Sequence, residues 1–426
     1  MERNPDKEDS CAWAPRRKKA LLPRAPLPPV PPPRSFSTIV LGAGLAGSAL
    51  AYHLSRLGGR EILLYDEAYP SAGASGKGAG ILCAQCWDPW DAQVVEETRK
   101  EYRDLSERHH LGGYLTTGGI RSVSTVSLLP LLEERRRMLE QLRVPVRWME
   151  PAEIGGAVPG IRVTDLKGGL LTPGDAVVEP PEMNFLYAEL AQRAGVELTW
   201  GWGFRGLRRE GAGWCLSTLG GDFHAAEVIL TAGAHTKRIA GALGLSLPLA
   251  PYRTQACRLA PERDAPLFPS YHDTELDVYV RPAPGGALVA GDGTESVESD
   301  PMRYNPGADF PFLAHVAEVF SHRLPLWAGA SVRRAWAGLC VSTPDRHPLV
   351  GPLGPPEGLY VACGFNGFGV MRAGGLAARM ANALRTGNWD ALAPCAPSRF
   401  PRGGVAFSPR PGFTLGGEDG PPGPVR

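Results

Sequence analysis

Three glycines near the start of the folded part of the chain have the spacing that suits phosphate binding. Gly42, Gly44 and Gly47 form a GxGxxG pattern, and Asp66 follows nineteen residues after the last of them. In such a pattern the first glycine permits a tight turn, the second lets the backbone approach a pyrophosphate, and the third lets helix and strand pack closely. The carboxylate of Asp66 can accept hydrogen bonds from ribose hydroxyls. The spacing predicts a dinucleotide site, with a tight turn that binds no ligand as the alternative.

Further runs of small residues indicate which dinucleotide this site would take. Gly73–Gly80 reads GASGKGAG and comes directly after the acidic strand end. An NAD domain has no evident need for such a run there, whereas a flavin ring must lie flat against backbone with few side chains between. Three more segments of this kind are Thr117–Ile120, Thr231–Ala234 and Gly364–Gly369. Because glycine lets a ligand come close to the main chain, this pattern favours FAD.

Secondary-structure signals place these motifs on two kinds of architecture. Ser37–Leu41 suits a buried parallel strand, Ser48–Leu57 has helical spacing, and Glu61–Asp66 suits a second strand, so a βαβ unit is predicted. Alternating runs at Thr254–Leu259, Leu276–Val280 and Ala287–Ala290 suit an antiparallel sheet. The fold class is therefore expected to be mixed α/β.

The composition excludes several classes of protein. A chain of 426 residues with 43% hydrophobic residues suits two domains, or one with a large insertion, and allows a sizeable core. A net charge of +1 gives no sign of a nucleic-acid partner. Eight dispersed cysteines favour a reducing cytoplasm over a disulfide scaffold. The CxxC pair Cys83 and Cys86 is read as two ordinary cysteines, with a redox pair as the alternative, and neither it nor His109–His110 has metal-ligand spacing. No metal site and no transmembrane span are predicted.

Both ends of the chain have the composition of tails. Residues 1–35 carry Arg16–Lys19 followed by a proline-dense run, which forbids the apolar helix of a signal peptide. A disordered or polyproline tail is expected there, and a loose segment over residues 401–426.

Taken in order, the motifs resemble the D-amino-acid oxidase superfamily of FAD-dependent oxidoreductases, especially the branch of glycine oxidase, sarcosine oxidase and dimethylglycine dehydrogenase. The resemblance covers roughly residues 36–390, and its order is specific for the superfamily but much less so for a substrate. The elements that carry it are Gly42–Gly47, Asp66, Gly73–Gly80, Thr231–Ala234, Trp336–Leu339, Thr343–Asp345, Pro348 and Gly364–Gly369.

The resemblance implies a discontinuous, Rossmann-like FAD-binding domain interleaved with an antiparallel-sheet substrate domain lying over the flavin. The expected FAD-binding domain comprises residues 36–110, 165–235 and 330–390, and the expected substrate domain comprises residues 111–164 and 236–329. Because Gly73–Gly80 contains no histidine, non-covalent FAD is expected, with attachment through Cys83 or Cys340 as the alternative. The implied cofactor-binding residues are Gly42, Gly44, Leu45, Ala46, Gly47, Asp66, Glu67, Ala74, Ser75, Gly76, Lys77, Phe204, Ala232, Gly233, Gly338, Asn366, Gly367, Phe368 and Gly369.

The chemistry implied by the resemblance is oxidation of a C–N bond next to a carboxylate. The amine gives a hydride to flavin N5 and becomes an imine, which water hydrolyses. The protein has to orient the substrate and to supply a cation for its carboxylate. Relatives place an arginine directly after the Trp-Ala-Gly-Leu element or a lysine two residues after the glycine turn. Here those positions are Cys340 and Met371, so both usual anchors are absent.

Replacement residues for the substrate site are therefore expected elsewhere. Tyr279 and Arg281 share one face of a predicted strand, and Arg372 stands beside Met371, so these three are the candidate catalytic residues. Arg253 and Lys77 are further candidate cations, and each candidate has a structural role as its alternative. His347 is expected to cap a turn or face solvent rather than to take part in chemistry.

The predicted function is thus an FAD-dependent oxidoreductase that oxidises a small amine or amino acid resembling sarcosine, glycine or proline. The electron acceptor, oxygen or another, stays open. The alternatives are a flavoprotein assembly or scaffold factor without turnover, and oxidation of a hydroxy acid on the same fold.

Overall fold

The computed structural model describes residues 34–86, 88–292, 297–401, 405 and 407, and these contain eight α-helices and three β-sheets. The helices are α1 (Leu45–Arg56), α2 (Pro89–His109), α3 (Leu129–Gln141), α4 (Pro151–Ala157), α5 (Pro180–Arg193), α6 (Thr236–Ala242), α7 (Phe310–Arg323) and α8 (Gly369–Thr386). The strands are β1 (Arg34–Leu41), β2 (Ile62–Asp66), β3 (Ile81–Leu82), β4 (Leu115–Thr116), β5 (Gly119–Val123), β6 (Arg147–Met149), β7 (Gly168–Thr172), β8 (Ala176–Val177), β9 (Glu197–Trp200), β10 (Phe204–Glu210), β11 (Gly213–Thr218), β12 (Gly221–Leu230), β13 (Ala250–Ala260), β14 (Ser270–Asp273), β15 (Val278–Ala283), β16 (Ala287–Asp292), β17 (Ser331–Ser342), β18 (Leu349–Pro352) and β19 (Leu359–Cys363).

The first sheet has the order β10-β11-β12-β1-β2-β9, and β19, which pairs with β18, lies parallel to β12. Strands β9, β2, β1, β12 and β19 are parallel to one another, while β11 and β18 pair antiparallel with β12 and β19. Most apolar residues of β1, β2, β12 and β19 are buried, as parallel strands covered by helices require. Helix α1 connects β1 to the parallel strand β2, which confirms the predicted βαβ unit.

Strand β1 begins earlier than the sequence indicated. Arg34 and Ser35, which the predicted N-terminal tail included, already pair with Phe223 and His224 of β12, and the Arg34 guanidinium also contacts the carboxylate of Glu197. These pairings give the strand a start that local sequence does not show. The rest of that predicted tail and most of the predicted C-terminal one lie outside the described residues.

The second sheet has the order β17-β13-β16-β15-β14-β5-β7-β6, and its neighbours are antiparallel except for the parallel pair β14 and β5. This confirms the predicted antiparallel sheet. Alternation divides its residues between two faces: Ile120, Tyr271 and Val280 join an apolar core with α7, while Arg121 and Tyr279 point to the opposite face. The opposite face is the one turned towards the glycine-rich segments, so it is the face that can carry a site.

The predicted division into two domains stays a prediction. Strands β7 and β17 fall inside the ranges expected for the FAD-binding domain, but they are hydrogen-bonded into the second sheet. Among the described residues, no helix is both long and apolar enough to cross a membrane.

Candidate active site

The turn between β1 and α1 has the shape that pyrophosphate binding requires. Gly42 has a φ of +118°, and a Cβ added there would lie 2.5 Å from the carbonyl oxygen of Thr231. A Cβ added to Gly47 would lie 1.9 Å from the carbonyl oxygen of Gly42. At Gly44, φ is −72° and an added Cβ would meet only Ser75 Oγ within 4 Å, at 3.1 Å. Gly44 therefore borders open space at the N-terminus of α1, where the helix dipole and backbone N–H groups favour an anion.

The carboxylate of Asp66 at the end of β2 is held towards this turn. Its Oδ2 accepts a hydrogen bond from Ala43 N at 2.9 Å, and its Oδ1 accepts one from Ala68 N at 2.9 Å. Burial raises the pKa of Asp66, and these two donors oppose that shift. The carboxylate has further lone pairs, so it can also accept hydrogen bonds from a ribose. The neighbouring Glu67 is exposed beside it.

The second glycine-rich run meets the first directly. Ala74–Gly76 forms a short 3-10 turn, and Ser75 Oγ accepts a hydrogen bond from Leu45 N at 2.8 Å. Gly76 is required because a Cβ there would lie 2.2 Å from the carbonyl oxygen of Ser71. Residues 42–47 and 73–80 thus form one continuous backbone surface.

Two later segments complete this surface. Thr231 Oγ1 at the end of β12 donates to the carbonyl oxygens of Leu41 at 3.0 Å and Gly42 at 2.8 Å, which brings Ala232 and Gly233 alongside the turn. On β17, Trp336 Nε1 donates to the carbonyl oxygen of Lys77 at 2.9 Å. A Cβ on Gly338 would lie 3.1 Å from the Cβ of Lys77, so the strand and the loop are in close contact there.

The turn before α8 is tied to the loop that follows β17. Asn366 is fully buried with a φ of +54°, and its Oδ1 accepts a hydrogen bond from Thr343 N at 2.9 Å. Its Nδ2 donates to the carbonyl oxygens of Arg346 at 2.9 Å and Gly364 at 2.6 Å. Phe368 is the N-cap residue of α8, so Gly367 and the N-terminus of this helix are held at a fixed place.

One cavity lies between these segments and the second sheet, and about 1190 Å³ of space within it is free of protein atoms when the part open to solvent is included. The cofactor side is lined by Ala74, Lys77, Gly78, Ala79, Gly80, Ile81, Gly338, Gly367, Val370 and Met371, and the sheet side by Arg121, Tyr252, Thr254, Gln255, His272, Tyr279 and Cys340, among others.

Three polar side chains of the sheet wall come from neighbouring strands. Tyr279 pairs with His272 across β15 and β14, and His272 pairs with Arg121 across β14 and β5. Arg121 Nη1 lies 2.8 Å from His272 Nδ1, and His272 Nε2 lies 3.6 Å from Asp277 Oδ1. Burial, reinforced by the charge of Arg121, holds the pKa of His272 well below its usual range, so this imidazole is neutral near pH 7.

The family model described as "DAO: FAD dependent oxidoreductase" matches residues 37–383, which is most of the chain. The protein belongs to this DAO family. FAD is therefore its cofactor, and the protein is an FAD-dependent oxidoreductase. The family match confirms the resemblance that was inferred from the sequence motifs.

Individual relatives of this DAO protein are distant but cover most of it. Sarcosine oxidase subunit beta of Arthrobacter sp is 24% identical over 385 residues, covering 87% of this chain and 93% of the relative. Glycine oxidase of Geobacillus kaustophilus is 26% identical over 344 residues, covering 79% and 89%. The crystal structure of L-proline dehydrogenase from P. horikoshii superposes with a TM-score of 0.81 at 22% identity, covering 88% and 100%, which shows the same fold.

The residues present fit FAD. The open space beside Gly44 and the N-terminus of α1 suits the pyrophosphate, and Asp66 suits the ribose next to it. Bound FAD supplies a hydride acceptor, and the cavity beyond Gly78 and Gly338 is where its ring system would meet the sheet wall. The individual contacts of the predicted cofactor residues stay predictions. Phe204 begins β10 at the edge of the first sheet, where it packs against the apolar core and does not line the cavity.

Two of the predicted catalytic residues of this DAO protein are held by other groups. The Arg281 guanidinium forms a buried ion pair with Glu179 at 3.0 Å and donates to the carbonyl oxygen of Ala79. The Arg372 guanidinium contacts the buried carboxylate of Asp91. Neither guanidinium is among the groups that line the cavity. Both roles stay predictions, but the charge of each side chain is already compensated.

The other sequence candidates divide in the same way. Arg253 pairs with Asp309 at 3.1 Å, whereas Lys77 does line the cavity and its ammonium contacts Tyr304. Tyr279 is on the cavity wall as the strand alternation predicts, and Gly291 opposite it has no side chain, which makes room for the phenol.

His347 and the cysteines have structural surroundings. His347 Nε2 lies 3.1 Å from Asp88 Oδ2 at the start of α2, and its ring packs edge-on against Trp90. Cys340 faces Tyr252 across β17 and β13 and lines the cavity together with Cys83. Burial raises the pKa of Cys340 to about 11, so this thiol carries no charge near pH 7.

Arg121 and His272 are the wall residues that sequence reasoning missed. Thr117–Ile120 was recognised as a place of close approach, and Arg121 follows it directly, so the position of a cation in a buried strand was the available signal. His272 had no such signal, because only the register between β14 and β5 brings it to Arg121.

Proposed function

We propose that this chain oxidises the C–N bond of a small amine or amino acid to an imine, with hydride transfer to N5 of FAD. One observation carries the proposal: a single cavity joins the glycine-rich cofactor surface to a sheet wall whose polar side chains, among them Arg121, His272 and Tyr279, could orient a small substrate. The names of the similar proteins support it, since sarcosine, glycine and proline are all small amines that carry a carboxylate.

The wall of the cavity supplies orientation rather than strong acid or base. His272 is neutral, and burial keeps the pKa of the Tyr252 hydroxyl well above its usual value, so neither carries charge near pH 7. An amine that enters in its neutral form needs no proton removed before hydride transfer. Tyr252 and Tyr279 can therefore act by shaping the space above the cofactor and by excluding water.

We also infer a reducing compartment such as the cytoplasm. The seven cysteines among the described residues are all free, although Cys83 and Cys86 stand three residues apart. An oxidising compartment would favour disulfide formation by accessible pairs. The electron acceptor is identified by the experiment described next, because the fold does not indicate it.

The proposal is tested by anaerobic mixing of the FAD-loaded protein with sarcosine, glycine, proline, D-amino acids and hydroxy acids, one at a time. Loss of the flavin absorbance near 450 nm, roughly to the dithionite endpoint, is expected with at least one amine. Reduction by hydroxy acids alone would replace the amine by an alcohol substrate. Retention of oxidised FAD against every compound would favour an assembly or scaffold role. Hydrogen peroxide formed on admission of air would identify oxygen as the acceptor.

A further inference from the structure

Arg121 is a buried cation in the cavity wall that lacks an ion-pair partner among the described residues. Its side chain is 8% exposed, its Nη1 hydrogen-bonds to His272 Nδ1, and its Nε has no hydrogen-bond partner. No carboxylate in the described ranges lies within 4.0 Å of its guanidinium. The acidic groups that act on its charge, Asp277 and then Asp175, lie beyond that distance, and Asp277 Oδ1 is 3.6 Å from His272 Nε2.

Other buried arginines of the chain show what this position lacks. Arg253, Arg281, Arg323 and Arg372 are each at most 5% exposed, and each forms an ion pair with an aspartate or glutamate. At Arg121 the surroundings add repulsion, because Arg135 of α3 is also buried nearby. Burial first, and then the charge of Arg121, lower the pKa of Arg135 to about 9.

An uncompensated charge in such a place destabilises the folded protein. Moving an ion out of water costs several kcal/mol unless an opposite charge and hydrogen bonds replace the water. Among the described residues, the neutral His272 is the one side chain that hydrogen-bonds to the guanidinium, and Asp277 and Asp175 act on it only from beyond ion-pair distance. An anionic ligand that entered the cavity would supply the missing charge, and the planar guanidinium could hold a carboxylate through two parallel hydrogen bonds.

We propose that Arg121 binds the carboxylate of the substrate and that His272 positions the guanidinium for this contact. This inference rests on the proposed function for the identity of the anion, and it narrows the substrate class from amines in general to amino acids. Since a guanidinium nitrogen can only donate, His272 Nδ1 accepts, and the imidazole proton is on Nε2 facing Asp277. The contact with Arg121 thus selects this tautomer, and Asp277 Oδ1 lies 3.6 Å from Nε2.

The location differs from that of the anchors expected from relatives. Cys340 is on β17, and the strands β13, β16, β15 and β14 lie between it and β5, which carries Arg121. At about 4.8 Å between strands, the two positions are roughly 24 Å apart along the sheet. The carboxylate would thus point towards β5 and not towards β17.

Binding of an inert carboxylate tests this inference without turnover. Benzoate, with neutral benzamide as its matched control, is titrated into the FAD-loaded full chain while the flavin spectrum is followed. The wild type should bind benzoate and bind benzamide at least about 30-fold more weakly, since loss of one partner of a buried charge pair has that effect. Arg121→Met should abolish this preference. Arg121→Lys should weaken benzoate binding by about 10-fold, because lysine keeps the charge but cannot form the two parallel hydrogen bonds of a guanidinium.

A second measurement separates anchoring from a merely structural role. Without any ligand, Arg121→Met should melt at the wild-type temperature or above, because it removes an unpaired buried charge. A structural arginine would instead be needed for stability, so a large fall in melting temperature with an unchanged benzoate preference would overturn the proposal. His272→Asn keeps an acceptor for the guanidinium and should retain most of the benzoate affinity, whereas His272→Leu should lose it.

The remaining outcomes distinguish the two proposals. If Lys77→Met and not Arg121→Met removes the benzoate preference, Lys77 is the anchor and the assignment of Arg121 is wrong. If benzoate binds through Arg121 but no amine reduces the flavin, the anion site stands and the proposed reaction fails. If amines reduce the flavin of Arg121→Met with an unchanged KM, the reaction stands and the anchor fails.

Discussion

A methyl group at Gly44 should separate cofactor binding from folding. The backbone at Gly44 has φ −72° and ψ 176°, which an alanine adopts without strain. An added Cβ would meet only Ser75 Oγ within 4 Å, at 3.1 Å, and a small rotation of that hydroxyl relieves the contact. The cost to the apoprotein is therefore that of a poorer N-cap residue, about 1 kcal/mol or less.

The same methyl group would project into the space that the pyrophosphate has to enter. Displacing one phosphate oxygen from a backbone N–H removes a charge-assisted hydrogen bond of about 1.5–3 kcal/mol, which is about 10- to 150-fold in Kd for FAD. Gly44→Ala should show this loss, and Gly44→Val should yield a colourless protein. Gly47→Ala is the matched contrast, because its Cβ would lie 1.9 Å from the carbonyl oxygen of Gly42. That clash is with backbone, so Gly47→Ala should lower the stability of the apoprotein itself.

The assay is a titration of each apoprotein with FAD, followed by quenching of flavin fluorescence, beside thermal unfolding without FAD. The reasoning predicts that Gly44→Ala changes mainly the titration and Gly47→Ala mainly the melting temperature. Wild-type FAD affinity in Gly44→Ala, or a yellow Gly44→Val protein, would show that the pyrophosphate does not approach this glycine.

Three further outcomes are expected. Arg281→Ala should lower the free energy of unfolding by about 3 kcal/mol, because it leaves Glu179 without its partner. A raised KM for carboxylate substrates at unchanged stability would instead support the anchoring role predicted from sequence. Asp88→Asn keeps the helix cap but removes the ion pair with His347. Burial lowers the pKa of His347, but Asp88 raises it by more, so the pKa of His347 is raised overall. The pKa of Asp88 is lowered. The loss in free energy of unfolding caused by Asp88→Asn should therefore be greatest between about pH 4 and pH 6.5, and it should shrink as the pH rises past the pKa of His347. Urea titrations measure this loss, and an equal loss at pH 9 would contradict the prediction. Finally, denaturation followed by filtration should release all FAD, whereas yellow protein on the filter would indicate a covalent bond.

Sequence reasoning succeeded where the determinants are local. The glycine pattern, the apolar strands around it and Asp66 lie within about thirty residues, so their periodicity predicts the βαβ unit and its ligand. Strand alternation likewise predicted that Tyr279 and Arg281 share a face of the second sheet, and both side chains are on that face. Such features depend on backbone geometry that repeats every two or four residues, and the spacing of apolar residues in the sequence shows that repeat directly.

The substrate side could not be read in the same way, because a buried cation is defined by its partner. Arg281 meets Glu179 across 102 positions, and Arg372 meets Asp91 across 281. Arg121 meets His272 across 151 positions through the one parallel pair of the second sheet. No local pattern indicates which of these guanidinium groups has a carboxylate beside it and which does not.

The change at Cys340 gains meaning from this distribution of charge. A neutral thiol stands at the β17 end of the wall, and the uncompensated cation stands at the β5 end. If its carboxylate binds Arg121, an amino acid has one favourable direction in which to lie across the cofactor surface. An uncharged residue at position 340 is then no sign of lost catalysis, because Arg121 and Lys77 both place positive charge on the cavity lining.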